Sequence, residues 1–426
     1  MKKKNPEVHG ARRLKLAALK ESPLSHRTVG FSPRTKTKAS RTPRLATIAF
    51  LVLAARASAP LTAQDQLFEQ TDVFVAGEDG VTEYRIPVLV TANDGSLLAI
   101  CDARVNRTGD APNNIDIVMK RSMDGGRSWG ALKVLADVGE GAAADSCAVV
   151  DRHTGTIRVF FGYYPVGIGS RNARPGLYGP TVMLWSVKSE DNGQTWSKPI
   201  DVTAMVKKSE WQAGSPGPGV GIQTRSGRLI IPRYYLVGLD YYGSHVMYSD
   251  DHGETWRIGG EVQAEGKTNE SQLVELADGS LLINMRGQFE NHRKTARSID
   301  GGMSWREVSM DPTLIEPRCQ ASLLGFTDRL LYAKDRILFS NPADRERRNM
   351  TVRLSYDEGK SWPVAKQLHG GPSAYSCLTV LSDMTIGCLY ERGDETPYEK
   401  ITFAHFDIEW LTNGEDSLSP NSPPGR

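Results

Sequence analysis

An eight-residue pattern, Ser-x-Asp-x-Gly-x-(Ser/Thr)-Trp, returns five times along the chain, at Ser122–Trp129, Ser189–Trp196, Ser249–Trp256, Ser298–Trp305 and Ser355–Trp362. Its starts lie 67, 60, 49 and 57 residues apart. A recurrence on that scale belongs to folds assembled from one repeated supersecondary unit. The segments around the copies are short and rich in β-branched or aromatic residues: Ser96–Arg104, Ile115–Ser122, Thr181–Ser189, Arg228–Leu236, Ser280–Gly287, Arg336–Pro342, Met350–Tyr356 and Ile401–Leu411. None carries an apolar pattern of helical period over twelve or more residues, so the expected class is all-β. The body from Phe68 to about Thr412 has room for about six units of this spacing. Six four-stranded blades closed as a β-propeller are therefore predicted. Each copy follows a strand, as in Ile115–Ser122, and should form the turn to the next one. There the Asp carboxylate can accept backbone N–H bonds, Gly supplies a positive φ, and Trp packs the hairpin onto its blade. The repetition itself marks the motif as structural, because an active site needs one copy of its chemistry.

Charge divides the chain differently. Residues 1–56 hold 14 Lys/Arg against Glu7 and Glu21, which leaves 38 basic and 48 acidic side chains for the remainder, a net of −10. A body this acidic is a poor partner for nucleic acid, whose affinity rests largely on neutralising phosphates. After Arg44 the run Leu45–Ala55 and the small residues Ala57-Ser58-Ala59 fit the apolar core and cleavage site of a signal peptide. The run is too short to span a bilayer comfortably. Residues 1–63 are accordingly expected to be a basic leader and signal peptide, directing secretion or periplasmic export, with no stable membrane insertion once removed. The long basic stretch before the run fits either an extended leader or a start codon downstream of Met1. Residues 64–412 are expected to form one propeller domain, and Asn413–Arg426, rich in Ser, Pro and Asn, reads as a disordered tail. The five cysteines are too sparse for a disulfide framework, and the isolated histidines form no HxxxH or HExxH. No metal and no cofactor are expected.

The repeats resemble the Asp-boxes of sialidase-type propellers, and Tyr84-Arg85-Ile86-Pro87 resembles the Tyr-Arg-Ile-Pro signature of the exo-α-sialidases, or neuraminidases, of bacterial type. The resemblance spans about Phe68 to Thr412. It implies a pocket for a sugar that carries a carboxylate on its anomeric carbon, an anion best held by several guanidinium forks. Arg85 matches the first arginine through its signature, and Arg286 matches the second at the end of Leu281–Arg286. The third lies among Arg345, Arg347, Arg348 and Arg353; Arg347 is the first choice and Arg345 the next.

An incoming carboxylate would be repelled by the substrate's own, and sialidases are the recorded case of a Tyr nucleophile. A phenol that ionises only near about pH 10 needs a base to draw its proton. By resemblance Tyr375 is that nucleophile and Glu270 its partner. Asp110, in Gly109–Asn114, is the general acid, with Asp102 and Asp116 as the nearest competitors. Arg104 resembles the arginine near the C4 side of the sugar, and Glu391 the carboxylate that orients Arg85. Pro216–Gln223 resembles a loop near the N-acyl pocket. The implied activity is hydrolysis of terminal sialic acid from glycoproteins, glycolipids and oligosaccharides, with retention. A trans-sialidase, a sialidase for deaminated sialic acid and a non-catalytic Asp-box binding propeller remain alternatives.

Overall fold

In the computed structural model residues 66–238, 241–265 and 267–421 are described, and all belong to one compact unit, 62–426. The expected leader falls outside them. Strand pairing resolves six antiparallel blades. The first is Glu83–Thr91, Leu97–Arg104, Ile115–Ser122 and Lys133–Ala136. The second is Ala142–Val150, Ile157–Tyr164, Met183–Ser189 and Ile200–Asp201. The third is Ile222–Gln223, Leu229–Val237, Tyr241–Ser249 and Arg257–Glu261. The fourth is Thr268–Glu275, Leu281–Gly287, His292–Ser298 and Arg306–Ile315. Val364–Val380 ends the fifth blade, after Ser322–Thr327, Arg336–Pro342 and Arg348–Ser355, and then opens the sixth, followed by Ile386–Arg392 and Lys400–Phe406. The sixth blade takes its outer strand from the other end of the chain, Phe68–Val75, paired antiparallel to Lys400–Phe406. The ring is thus closed by hydrogen bonds between the first and last strands.

The second strand of a blade is covered on both faces by neighbouring blades, which is why Leu97–Arg104 is buried along its whole length and shows no alternation. Each Asp-box docks on the blade before it. Its Gly lies so close to that blade that a Cβ would collide with Phe403 at Gly126, Leu98 at Gly193, Arg158 at Gly253 and Leu282 at Gly359. Within the box, Asp124 accepts from the backbone N–H of Ser128 at 2.9 Å and from its hydroxyl at 2.6 Å, while Trp129 Nε1 donates to the Gly126 carbonyl at 3.1 Å. These bonds hold the carboxyls of Asp124, Asp191 and Asp251 down at about 2, the Ser128, Thr195 and Thr255 hydroxyls respectively being the main cause.

Antiparallel alternation sorts the loops. The boxes join third to fourth strands and lie on the same face as the turns between first and second strands. The opposite face collects the starts of the inner strands and the loops between second and third strands. The inner-strand ends Thr91, Val150, Gln223, Glu275, Thr327 and Val380 all line one cavity of about 800 Å³ on the box face, so the six inner strands surround a single channel.

Two expectations need correction. Ile401–Leu411 is not one strand: pairing ends at Phe406, and Ile408–Leu411 is a short helix whose N-cap Asp407 accepts from Trp410 N at 2.6 Å. The tail is also fixed as far as Asn421. Asp416 is buried and accepts from Arg336 Nε and Nη2, both at 2.8 Å, and from Tyr356 Oη at 2.8 Å, while Pro420 forms a bridge to Tyr332. A composition poor in apolar residues concealed one carboxylate that neutralises a buried arginine. All five cysteines are buried and unpaired, and among the described residues no helix is long and apolar enough to cross a membrane.

Candidate active site

The inner strands of four blades each carry an extra residue near their start. Register slips between Arg85 and Val88, Ala144 and Cys147, Thr268 and Ser271, and Ser373 and Ser376. A bulge bends its strand and re-aims a side chain that would otherwise alternate into the sheet. Arg85, Asp145, Glu270 and Tyr375 stand at these four bulges, on the face away from the Asp-boxes. Ile86 and Asp145 have φ of 64° and 59°, which is strained for side chains of their kind and marks backbone held by its surroundings.

The holding group at the first bulge is Glu391, with 0% of its side chain exposed. Oε1 accepts from Arg85 Nε and Ile86 N, both at 2.7 Å, and Oε2 from Tyr375 N at 3.0 Å. One carboxylate therefore fixes the first arginine and the tyrosine backbone, across the junction of the first and sixth blades. Removing one partner of such a buried pair leaves an uncompensated charge, at a cost of about 3–5 kcal/mol.

Tyr375 Oη donates to Glu270 Oε1 at 2.5 Å. Glu270 Oε2 accepts from Arg286 Nη1 at 2.6 Å, and the same nitrogen lies 3.2 Å from Tyr375 Oη. Burial and then Glu270 raise the Tyr375 phenol well above its usual range, while Arg286 and Arg347 pull it down. The free site thus keeps a protonated phenol beside a carboxylate able to accept its proton and arginines able to stabilise the phenolate. Arg347 lies with its guanidinium carbon 5.4 Å from the centre of the Tyr375 ring, and its Nη1 donates to Tyr398 Oη at 2.9 Å. Arg345 is exposed on the surface. Tyr398, which carries no signature in sequence, also lies under Arg85, its ring centre 4.0 Å from the guanidinium carbon. A second ion pair braces the same corner: buried Arg293 bonds Glu316 at 3.0 Å, and Glu316 accepts from Gly287 N, next to Arg286, at 2.7 Å.

On the first blade Arg104 is anchored by Glu83 at 2.7 Å and reaches Asp110 Oδ1 at 2.5 Å. The Asp110 side chain is 87% exposed. Its loop is ordered by Asn113, whose Nδ2 donates to the carbonyls of Arg107 and Gly109, both at 2.9 Å. Of the competitors, Asp102 is only 1% exposed and accepts from Asp145 N at 3.1 Å, so it lies beneath the site. Asp116 stands half-buried within its strand, pushed up to about 7 by burial and Asp137. The structure brings all eight proposed residues to one face; Pro216–Gln223 runs into the channel, where the Pro218 carbonyl accepts from Gln272 at 3.1 Å and Gln320 at 2.9 Å.

Asp145 is the functional candidate the sequence reading missed. Its only signal is a polar residue within the apolar run Ala142–Val150. It accepts from Tyr234 Oη at 2.8 Å, and burial, then Glu270, with a smaller push from Asp110, raise its carboxyl to about 6 against the Tyr234 hydrogen bond. The folded protein therefore keeps this proton where the unfolded chain, near about 3.9, has lost it. Stability from this group is full below about pH 4 and declines as pH rises toward 6. Asp145→Asn should remove that decline, so its Tm should gain on the wild type between pH 4.5 and 7. Parallel Tm–pH curves for the two proteins would show that Asp145 is not the group responsible.

Arginines gathered round a Tyr–Glu pair on the loop face of a six-bladed propeller define a sialidase-type propeller. The BNR repeat-like domain family matches residues 95–389. The chain is 38% identical to a sialidase of Micromonospora viridifaciens over 82% of its length and 34% identical to a sialidase of Bacteroides fragilis over 74%. It spans 55% and 61% of the length of these two relatives. Among solved structures, Hadza microbial sialidase Hz136 superposes with a TM-score of 0.75 at 35% identity, over 80% of this chain and 69% of that one. The chain belongs to the family of sialidases with BNR repeats.

Proposed function

We propose that the protein is an exported exo-α-sialidase that hydrolyses terminal sialic acid with retention, without a cofactor. The observation that carries this reading is the Tyr375 hydroxyl, 2.5 Å from Glu270 and flanked by Arg286 and Arg347. Arg85, Arg286 and Arg347 hold the substrate carboxylate. Tyr375 Oη attacks the anomeric carbon and gives its proton to Glu270, while the bond to the departing oxygen breaks and that oxygen takes a proton from Asp110. In the second half a water gives a proton to Asp110 and attacks the same carbon, and Tyr375 leaves, recovering its proton from Glu270. Arg104, held by Glu83, binds the far side of the sugar. Two inversions give net retention. Export rests on the basic leader and the run Leu45–Ala55.

A fluorogenic α-sialoside assayed beside other aryl glycosides tests the activity; cleavage of the sialoside alone is expected, and no cleavage of it would leave a binding propeller. The arginine clamp has its own test. Arg347→Lys keeps the charge but loses the fork, so it should weaken a sialic-acid analogue by about 10- to 100-fold, the worth of a charged hydrogen bond. Arg345→Lys should leave calorimetric affinity unchanged. The reverse ranking would move the third arginine to Arg345.

A further inference from the structure

Two of the three proposed clamp arginines are each paired with a carboxylate, Arg85 with Glu391 at 2.7 Å and Arg286 with Glu270 at 2.6 Å. Arg347 has no ion-pair partner among the described residues. Its bonds go to neutral oxygens, from Nη1 to Tyr398 Oη at 2.9 Å and from Nη2 to the Arg318 carbonyl at 3.4 Å. Glu391 lies within electrostatic range but is already committed to Arg85 Nε, Ile86 N and Tyr375 N. A carboxylate in the place of the Tyr398 hydroxyl would orient the guanidinium and also neutralise it. A phenol, uncharged at neutral pH, orients it and leaves its charge for an anion that enters the site.

The same side chain meets the first arginine with its face. The Arg85 guanidinium carbon lies 4.0 Å from the centre of the Tyr398 ring, which packs against Ile86, Cys319, Ala374 and Tyr375. A guanidinium resting on an aromatic face keeps the N–H groups in its own plane for other partners. Arg85 Nε is taken by Glu391, while its two Nη groups bond no protein group among the described residues. Tyr398 thus touches two arginines that arrive from different blades, Arg85 from the first and Arg347 from between Arg336–Pro342 and Arg348–Ser355 in the fifth. Its own loop joins Ile386–Arg392 to Lys400–Phe406 and is pinned from several sides. Glu399 accepts from the backbone N–H groups of Asp394 at 3.1 Å, Glu395 at 2.8 Å and Thr396 at 2.7 Å, and its carbonyl accepts from Ala76 N at 2.9 Å. A Cβ at Gly393 would collide with the Thr396 carbonyl, so the turn closes tightly behind the tyrosine.

We propose that Tyr398 is a positioning residue for the arginine clamp, setting the spacing of Arg85 and Arg347 and orienting Arg347 without neutralising it. This rests on the reading of the site as one for a sugar carboxylate. Calorimetry with a sialic-acid analogue and with its uncharged methyl ester tests both. Tyr398→Phe keeps the face against Arg85 and loses the bond to Arg347, so it should weaken the acid by about 10-fold and the ester much less. Tyr398→Leu loses the aromatic face as well and should weaken the acid by about 100-fold. In an Arg347→Lys background Tyr398→Phe should cost less than about 2-fold more, because the group it orients has gone. With an aryl sialoside the Phe variant should raise KM more than it lowers kcat, since the clamp grips substrate and transition state alike. A residue that served packing alone would lower Tm without separating acid from ester. Equal affinity of wild type and Tyr398→Phe for the acid, or losses that simply add to that of Arg347→Lys, would overturn the proposal. A wild type that binds neither acid nor ester would overturn the reading of the site itself. Should Tyr398→Leu fail to fold, Tyr398→Phe, which keeps the ring in its packing, decides.

Discussion

Tyr375→Phe is expected to fold as the wild type does, bind a sialic-acid analogue with little loss, and lose kcat by about 1,000-fold or more. The substitution keeps the ring, which packs with Ile86, Cys319 and Ala374 and lies 5.2 Å from the Arg85 guanidinium carbon. It removes only the hydroxyl that meets Glu270 at 2.5 Å and Arg286 at 3.2 Å. Glu270 keeps its bond to Arg286 through the other oxygen, so the arginine clamp stays in place. What disappears is the proposed nucleophile, and with it the route that splits one difficult displacement into two easier ones. The stability cost should be about 1 kcal/mol, the net worth of one hydrogen bond. Turnover near the wild-type value would remove Tyr375 from the reaction. A large loss of analogue affinity would instead mean that the hydroxyl holds the clamp.

Glu270 and Tyr375 also show why the site was easier to recognise than the strands that carry it. The second strands were legible as apolar runs: Leu97–Arg104, Leu229–Val237, Leu281–Gly287 and Arg336–Pro342 lie where their composition placed them. Inner strands such as Thr268–Glu275, reading Thr-Asn-Glu-Ser-Gln-Leu-Val-Glu, are polar at the end that carries the site and therefore look like loops. Six blades were inferable from five boxes because spacing survives where strand composition does not, and each box carries its reason for conservation of form in a Gly pressed against the preceding blade. The closing strand Phe68–Val75 was not legible. Its pairing with Lys400–Phe406 joins residues more than 300 positions apart, and its exposed first half carries no apolar alternation. Tyr398 and Asp145 escaped for a related reason. Tyr398 meets Arg85 by stacking and Arg347 through its hydroxyl, and Asp145 stands at a bulge within electrostatic range of Glu270; neither relation leaves a motif in the sequence.

The proposed general acid can be separated from residues that merely surround the site by changing the leaving group. A natural sialoside departs as a sugar alkoxide and needs a proton, so Asp110→Ala should slow its cleavage by about 100- to 10,000-fold, the range for general acid–base catalysis. An aryl sialoside with a nitrophenol-like leaving group departs as a stable anion and should be affected far less. The geometry makes the experiment clean. Asp110 is exposed at the rim, its loop is held by Asn113, and Arg104 keeps its anchor on Glu83 when Asp110 is removed. The comparison is made on the initial rates of the two substrates with one variant, so errors in active concentration cancel. Equal losses on both would show that Asp110 does not protonate the departing oxygen. The next candidate would then be Asp145 rather than Asp102, because Asp145 lies in electrostatic range of Glu270 and Asp110 with its carboxyl raised to about 6, whereas Asp102 is buried beneath it.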